Sequence, residues 1–239
     1  SLSFYSSVKE GVMETTTKEK PKFVSFLLDE TGSMHDVIDD TIGGFNAYVE
    51  TLKKDGGDIA FSLVSFDSNR TQRRYVADPI DKVEPLTTSN YRPGAATPLI
   101  DASVKIIKAT EDAVRQRGDE PSVLVVIQTD GYENASVEFT SAYLTALIKE
   151  KTAAGWQFVF LGAGLDAFDA AHDAGIQFDR RKMVGYGKEH SRAMFEQTAR
   201  KHVDFLKYSH DDALNYSQSD RDKVGDKPSV DDIDLSGTS

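Results

Sequence analysis

The chain has 239 residues, contains no cysteine and carries a formal net charge of −11. The lack of cysteine excludes disulfides, thiol catalysis and zinc–thiolate sites, and it is typical of cytoplasmic proteins. The acidic balance argues against nucleic-acid binding, and no apolar run approaches the roughly 18 residues that cross a membrane. We therefore expect a cytoplasmic protein without a nucleic-acid or membrane partner.

The composition divides the chain into three segments. Residues 1–21 form a polar N-terminal arm without the apolar block of a secretory signal. Residues 22–210 alternate between apolar runs and amphipathic stretches, which is typical of a folded domain. Residues 211–239 contain eight acidic and three basic residues and few large apolar ones. Because such a segment cannot offset the entropy of ordering, we expect it to be disordered.

Short apolar runs indicate β-strands along the folded segment. The first run is apolar almost throughout, as in a strand that is buried on both faces of a sheet. The third run contains several charged residues, which indicates a strand at the edge of the sheet. The runs predict strands at residues 23–28, 59–66, 72–77, 123–127 and 156–161, with a short sixth at 183–184.

Between these runs, apolar residues recur at helical spacing. Gly43 and Gly44 stand inside the first helix, where each glycine costs about 1 kcal/mol relative to alanine, so we expect close packing against the sheet. The sequence Thr97-Pro98 predicts a helix start, with Thr97 as the N-cap and Pro98 at the first helical position. The predicted helices run near residues 34–55, 97–118, 140–154, 166–175 and 191–208.

Strands that alternate with helices predict an α/β domain, with a mostly parallel, doubly wound sheet and helices on both faces. Ligands of such sheets bind beyond the carboxyl ends of the strands, where the winding reverses. Polar residues follow two of the strands, in the segments DETGS (29–33) and TDG (129–131). If these strands are neighbours, their oxygen atoms meet that of Thr97 at one edge of the sheet.

These segments supply a set of hard ligands. The carboxylates of Asp29 and Asp130 and the hydroxyls of Thr31, Ser33 and Thr97 suit Mg²⁺, with Mn²⁺ or Ca²⁺ as substitutes. Each piece also has a simpler explanation, because Asp-x-Thr before a helix can be an N-cap, Asp-Gly a turn and Thr97 a helix cap. Their joint occurrence at the ends of the two most apolar strands favours a metal site.

The pattern of Asp29, Thr31, Ser33, Thr97 and Asp130 resembles the metal-ion-dependent adhesion site of von Willebrand factor type A domains. The segments DETGSM, GAATPLIDA and QTDG are similar to that family's three signature segments, in the same order and suitably spaced. The resemblance covers about residues 22–210 and implies a three-layer α/β/α sandwich. Its six-stranded sheet would have the order 3-2-1-4-5-6, with only strand 3 antiparallel.

The resemblance also implies a role for each of these residues. Thr31, Ser33 and, in the liganded form, Thr97 would contact Mg²⁺ through their hydroxyls, while Asp29 and Asp130 would act largely through bound waters. Thr31 stands where the family more often has serine, but the ligand oxygen is kept.

Glu30 is a second departure from the family pattern. Alternation along the strand points its side chain away from Asp29, so we expect Glu30 to form a salt bridge.

In the family, a Glu or Asp side chain of a partner protein commonly binds at the metal. We therefore expect a Mg²⁺-dependent protein-interaction module and not an enzyme. Two alternatives remain: a metal-assisted phosphoester hydrolase with Asp67 as the spare carboxylate, and an assembly protein whose metal only braces the loops.

Overall fold

Six strands form one mixed β-sheet in the computed structural model, which describes residues 20–164, 169, 171, 172 and 174–226. The strands are β1 (Lys22–Asp29), β2 (Ile59–Phe66), β3 (Thr71–Pro79), β4 (Ser122–Thr129), β5 (Gln157–Ala163) and β6 (Met183–Tyr186). Their order is β3-β2-β1-β4-β5-β6, and β3 is the one antiparallel strand of the six. The predicted fold class is therefore confirmed, including the order of the strands.

Helices lie on both faces of this sheet. Phe26 of β1 belongs to the apolar core on one face, and its neighbour Leu27 belongs to the core on the other, so β1 is buried on both sides. The first core includes α1 (Ile38–Asp55) and α4 (Ser191–Tyr208), and the second includes α2 (Leu99–Arg117) and α3 (Ser141–Ala153). No described helix is long and apolar enough to cross a membrane. A further short helix, α5 (Gln218–Val224), follows α4 near the end of the described residues.

The two glycines of α1 have different surroundings. A Cβ atom on Gly44 would lie 2.3 Å from the ring of Phe195, so this glycine allows α1 to approach α4 closely. Phe195 in turn stacks with Phe26 of the sheet, with ring centroids 6.5 Å apart. A Cβ on Gly43 would meet nothing within 4 Å. The expectation that both glycines pack against the sheet is wrong, because Gly44 packs against a helix and Gly43 is exposed.

The start of α2 also differs from the prediction. The carbonyl oxygen of Pro98 accepts the first helical hydrogen bond, from the backbone N–H of Ala102, so Pro98 is the N-cap residue. Thr97 precedes the helix, and its hydroxyl donates to Thr31 instead of capping α2. The helix predicted at residues 166–175 lies mostly outside the described residues.

Residues 211–226 are folded, which corrects the expectation that disorder begins at residue 211. They form a 3₁₀ helix (Asp211–Leu214) and α5. Their side chains Leu214, Tyr216 and Val224 are buried in the same core as α1 and α4. Arg221 Nη1 lies 2.6 Å from Asp226 Oδ2 in a buried ion pair. Two of the charged residues on which the prediction of disorder rests are therefore inside the fold. Residues 1–19 and 227–239 lie outside the described part of the chain.

Candidate metal centre

The candidate metal centre lies at the edge where β1 and β4 end side by side. The two strands pair in parallel, so Asp29 and Asp130 leave the sheet at the same edge. The segment before α2 reaches this edge as well, because the backbone N–H of Gly32 donates a hydrogen bond of 3.0 Å to the carbonyl oxygen of Ala95. Three separate parts of the chain therefore meet here, as the sequence predicts.

Three hydroxyls and one carboxylate form a continuous group, which we call the hydroxyl cluster. Thr97 Oγ1 donates to Thr31 Oγ1 at 3.2 Å. Thr31 Oγ1 and Ser33 Oγ are 3.3 Å apart, and Ser33 Oγ donates to Asp130 Oδ1 at 2.5 Å. Thr31, Thr97 and Asp130 are buried, whereas Ser33 is exposed, so the cluster runs from the interior of the site to its surface.

Gly131 makes the close approach within this cluster possible. A Cβ atom at this position would lie 2.7 Å from Thr97 Oγ1 and 3.4 Å from Ser33 Oγ. A larger residue would therefore push Thr97 away from the other hydroxyls. The glycine after Asp130 is required by the packing of the site, beyond any need of a turn.

Asp29 lies one layer behind the hydroxyl cluster. Its Oδ1 accepts a hydrogen bond of 2.7 Å from the backbone N–H of Thr31, and its Oδ2 accepts one from the hydroxyl of Thr129. Burial raises the pKa of Asp29 to about 6, against the lowering effect of these hydrogen bonds, and nearby Asp130 adds a small further rise. Burial of the Asp29 carboxylate therefore disfavours its charged form, and a cation bound nearby would favour it.

Asp130 has one carboxylate oxygen that receives no hydrogen bond. Its Oδ1 accepts from Ser33, whereas its buried Oδ2 has no hydrogen-bond donor. The ammonium group of Lys188 lies 3.3 Å from Oδ2, which is an ion-pair distance without hydrogen-bond geometry. The Asp130 side chain is fully buried, and that of Lys188 is 37% exposed. Lys188 therefore provides the nearest positive charge to the carboxylates of the site.

These observations fit a hard divalent cation. Neighbouring ligands of an octahedral ion with bonds of 2.0–2.1 Å lie about 3 Å apart, and the hydroxyl oxygens of the cluster are 3.2–3.3 Å apart. The buried Oδ2 of Asp130 accepts no hydrogen bond, and a bound cation would interact with this oxygen instead. No three His, Cys, Asp or Glu side chains gather into a metal site among the described residues. The donor set is instead two carboxylates and three hydroxyls, which is typical of a Mg²⁺ or Mn²⁺ site.

Glu30 forms the predicted salt bridges and faces away from Asp29. Arg70 Nη2 lies 3.1 Å from Glu30 Oε1, and Arg74 Nη2 lies 2.9 Å from Oε2. The backbone N–H of Arg92 donates a further hydrogen bond to Oε1 at 2.6 Å. The Glu30 side chain is 2% exposed, so these three donors surround a buried carboxylate. The prediction of a salt bridge at Glu30 is confirmed.

Asp67, the spare carboxylate of the hydrolase alternative, is fully engaged in a turn. Its Oδ1 accepts hydrogen bonds from the backbone N–H groups of Asn69 at 2.7 Å and Arg70 at 2.9 Å. Its Oδ2 lies 3.4 Å from Arg70 Nε. A carboxylate held by these donors stabilises the turn after β2 and is poorly placed to accept a proton from a water molecule.

Known proteins resemble this chain in structure, whereas no match was found by sequence. No protein-family model matches the chain, and no curated protein sequence matches it. Proximal thread matrix protein 1 of the mussel byssus has a TM-score of 0.55 at 13% identity, over 76% of this chain and 48% of its own. The pilus adhesin SpaC of Lactobacillus rhamnosus GG has a TM-score of 0.55 at 11% identity, over 78% of this chain and 30% of its own. A von Willebrand factor type A structure from Catenulispora acidiphila has a TM-score of 0.49 at 13% identity, over 77% of this chain and 43% of its own.

The mussel protein and the pilus adhesin each match this chain with a TM-score of 0.55, over 76% and 78% of its length. The chain shares an α/β/α sandwich fold with these two proteins. Identities of 11–13% show this shared fold and nothing further. The chain spans about half the length of the mussel protein and less than a third of the pilus adhesin.

Within this fold, the structure brings together all five residues that the sequence singles out. Three further residues of the site were missed. Thr129 of the QTDG segment donates to Asp29, and Gly131 directly follows Asp130. Lys188 begins the 3₁₀ helix that follows β6. The first two lie beside a predicted ligand and could be found by inspecting its neighbours. No local signal in the sequence connects Lys188 to Asp130, which lies 58 positions earlier.

Proposed function

We propose that this domain is a Mg²⁺-dependent protein-interaction module that binds a Glu or Asp side chain of a partner protein. The observation that carries the proposal is the row of hydrogen bonds that links the hydroxyls of Thr97, Thr31 and Ser33, in that order, to Asp130. These residues would hold the ion, with Asp29 behind them. Mn²⁺ or Ca²⁺ would serve as substitutes, since the donors are all oxygen atoms.

The donor chemistry explains why an acidic partner would bind. When bound, the divalent cation supplies positive charge that the neutral hydroxyls do not cancel, so it attracts an anionic oxygen. Asp29 is held away from the cluster by the Thr129 hydroxyl and the Thr31 N–H, which keeps its charge one layer back. This arrangement favours capture of a carboxylate from outside over full neutralisation by the domain itself.

Two proteins with the same fold support an interaction role. One is named a pilus adhesin and the other a thread matrix protein, and we extend only the general role of binding other proteins to this chain. The hydrolase alternative requires a general base, and Asp67 is engaged by Asn69 and Arg70. In the assembly alternative, the metal braces the loops and no partner carboxylate binds to it. This is its only difference from our proposal.

The first test is metal binding followed by partner capture. We expect calorimetric titration of the full chain with Mg²⁺ to give saturable binding that Asp130→Ala abolishes. Partner capture from a lysate, identified by mass spectrometry, should fail in EDTA and return when Mg²⁺ is restored. Capture that is equally strong in EDTA would place the interaction on another surface and leave the metal a structural role.

The second test separates the partner from the metal. Thr97→Ala removes one hydroxyl and leaves Asp29, Thr31, Ser33 and Asp130 to hold the ion. Loss of one member of a buried, charge-assisted contact costs about 2–5 kcal/mol, so we expect affinity for the captured partner to fall roughly 30-fold or more. Mg²⁺ affinity should fall less. The matched control is Thr152→Ala, at an exposed position of α3, which should change neither affinity.

A further inference from the structure

A pocket of about 670 Å³ opens beside the metal centre, between β3 and the loop that leads to α2. We call it the arginine pocket, because four guanidinium groups line it around the buried carboxylate of Glu30. No comparable concentration of positive charge is predicted from a chain with a net charge of −11. The arginines are Arg70, Arg73, Arg74 and Arg92.

Two of the four arginines are already paired, and two are not. Glu30 pairs with Arg70 and Arg74, and Arg70 also lies 3.4 Å from Asp67. Neither Arg73 nor Arg92 has an ion-pair or hydrogen-bond partner for its guanidinium among the described residues. Four cationic groups therefore face two carboxylates, which leaves an excess of two positive charges. An anion in the pocket would meet donors that the protein itself does not use.

A bulge in β3 brings successive arginines to the same pocket. Val64 pairs with Arg73 and Leu63 with Tyr75, so Arg74 is an extra residue in the edge strand. In a regular strand, neighbouring side chains point to opposite faces of the sheet, whereas Arg73 and Arg74 both line the pocket. β-Bulges re-aim side chains in this way at sheet edges.

The paired arginines also make the pocket rigid. Arg74 is only 13% exposed, and it donates to the Ser65 hydroxyl at 2.9 Å as well as to Glu30. Glu30 is fixed in turn by the backbone N–H of Arg92. A guanidinium that is already oriented loses less entropy when it binds an anion, so these contacts favour binding.

The arginine pocket is continuous with the metal centre. Glu30 stands between Asp29 and Thr31 in the chain, and its carbonyl oxygen accepts a hydrogen bond of 2.9 Å from the backbone N–H of Gly94. The loop that carries Arg92 therefore continues directly to Thr97. A segment of extended polypeptide that placed one side chain at the metal centre would pass over the pocket with the next few residues.

We propose that the arginine pocket binds an acidic segment of the partner protein, next to the Glu or Asp that binds at the metal. This inference rests on the proposed function for the position of that first carboxylate, but the pocket's own charge carries the rest. Guanidinium groups bind carboxylates through paired, charge-assisted hydrogen bonds. A long nucleic acid is disfavoured, because it would extend beyond a pocket of this size on a chain with a net charge of −11.

The test uses the full chain and a short, fluorescently labelled oligoglutamate peptide. Arg73→Gln with Arg92→Gln removes the two unpaired charges and breaks no contact of a described side chain. We expect this double variant to bind the peptide about tenfold more weakly than the wild type, in Mg²⁺ and in EDTA alike. Raising the salt from about 0.1 M to about 0.5 M should weaken the wild type more than the variant.

The matched control changes the same net charge elsewhere. Arg115→Gln with Arg200→Gln alters exposed positions on α2 and α4, and peptide binding should stay at the wild-type level. Arg73→Lys with Arg92→Lys keeps the charge and should restore part of the affinity. Thermal melting of each variant verifies that it folds like the wild type.

The possible results separate this inference from the proposed function. Unchanged peptide affinity in the Arg73→Gln and Arg92→Gln variant would overturn the role of the pocket. If that variant loses affinity while Asp130→Ala and EDTA have no effect, the pocket is supported and the metal-dependent function fails. Arginine-dependent binding of an oligothymidylate that is tighter than binding of the peptide would assign the pocket to nucleic acid and overturn a protein partner.

Discussion

The ammonium group of Lys188 lies 3.3 Å from the buried Oδ2 of Asp130, at the centre of the site that is proposed to bind a metal ion. The stem of Lys188 reaches this position over Gly164, where a Cβ atom would lie 2.9 Å from Lys188 Cε. The domain thus carries its own cation beside Asp130. This side chain compensates the carboxylate when no ion is bound and opposes an ion that enters.

Replacing Lys188 should change metal affinity and stability in opposite directions. We expect Lys188→Met to bind Mg²⁺ roughly tenfold more tightly, because a repulsive charge near the ion is removed, a change of about 1.4 kcal/mol. Without metal, the same variant should melt at a lower temperature than the wild type, since Asp130 loses its ion pair. Calorimetry and thermal melting measure the two effects, with the exposed Lys207→Met as control. Equal Mg²⁺ affinity in Lys188→Met and the wild type would contradict this role.

His202 should make the domain sensitive to acid. Burial lowers the pKa of His202 to about 3, nearby Lys201 lowers it further, and Nδ1 is 2.8 Å from the Tyr48 hydroxyl. The folded state thus requires the neutral ring, so its contribution to stability is complete above pH 6.5 and is lost as the pH falls toward 3. Between pH 6.5 and 5 the loss is about 2 kcal/mol.

The measurement for this prediction is urea unfolding at pH 7.5 and pH 5. His202→Gln cannot take up a proton and still offers an oxygen to the Tyr48 hydroxyl. We expect the wild type to lose about 2 kcal/mol more than this variant between the two pH values. The other titrating groups are common to both proteins and cancel in the difference. Equal losses would mean that His202 does not control the acid response.

The two glycines of α1 should respond oppositely to alanine. Gly43→Ala adds a methyl group where nothing lies within 4 Å, so the free energy of unfolding should rise by about 1 kcal/mol. Gly44→Ala places a methyl group 2.3 Å from the Phe195 ring and should lower it by roughly 1–3 kcal/mol. Urea unfolding of the two variants checks this directly. Changes of the same sign would show that α1 and α4 repack more freely than the structure indicates.

The segment of residues 211–226 should be essential for stability. A chain that ends at residue 210 loses the buried side chains of Leu214, Tyr216 and Val224, and each buried apolar side chain contributes about 1.5–3 kcal/mol before the cost of ordering. We expect its melting temperature to fall well below that of the full chain. A chain that ends at Lys227 is the control, and because it keeps these three side chains it should melt above the shorter chain. No loss in the shorter chain would contradict the packing of this segment.

Much of the fold follows from local patterns in the sequence. The continuous apolar run of β1 predicts a strand that is covered on both faces, and alternation along it correctly turns Glu30 away from Asp29. The site depends on the joint pattern of three segments and on the resemblance that they carry. Local patterns do not show which residues come into contact in the folded chain. The sequence predicts that Thr97 caps a helix, whereas in the structure its hydroxyl donates to Thr31.

Residues 211–226 show why the composition of a segment can mislead. Leu214 and Tyr216 are two positions apart and Val224 follows eight positions later among polar residues, so no periodic apolar face is visible. Arg221 and Asp226 count as two surface charges in a composition, although they form one buried pair. The arginine pocket is not predicted from the sequence for a related reason. The face to which each side chain of a strand points is predicted from regular alternation, and the extra residue in β3 reverses that alternation.

The bulged strand β3 has a consequence for self-association as well. It is an outer strand of the sheet, and its register with β2 shifts at two places, between Phe61 and Leu63 and between Leu63 and Val64. An outer strand offers unpaired N–H and C=O groups to which another chain can add, and bulges and charged side chains impede that addition. The arginines of β3 therefore also guard against edge-to-edge polymerisation, and a variant that straightens this strand with uncharged residues would be prone to form fibrils.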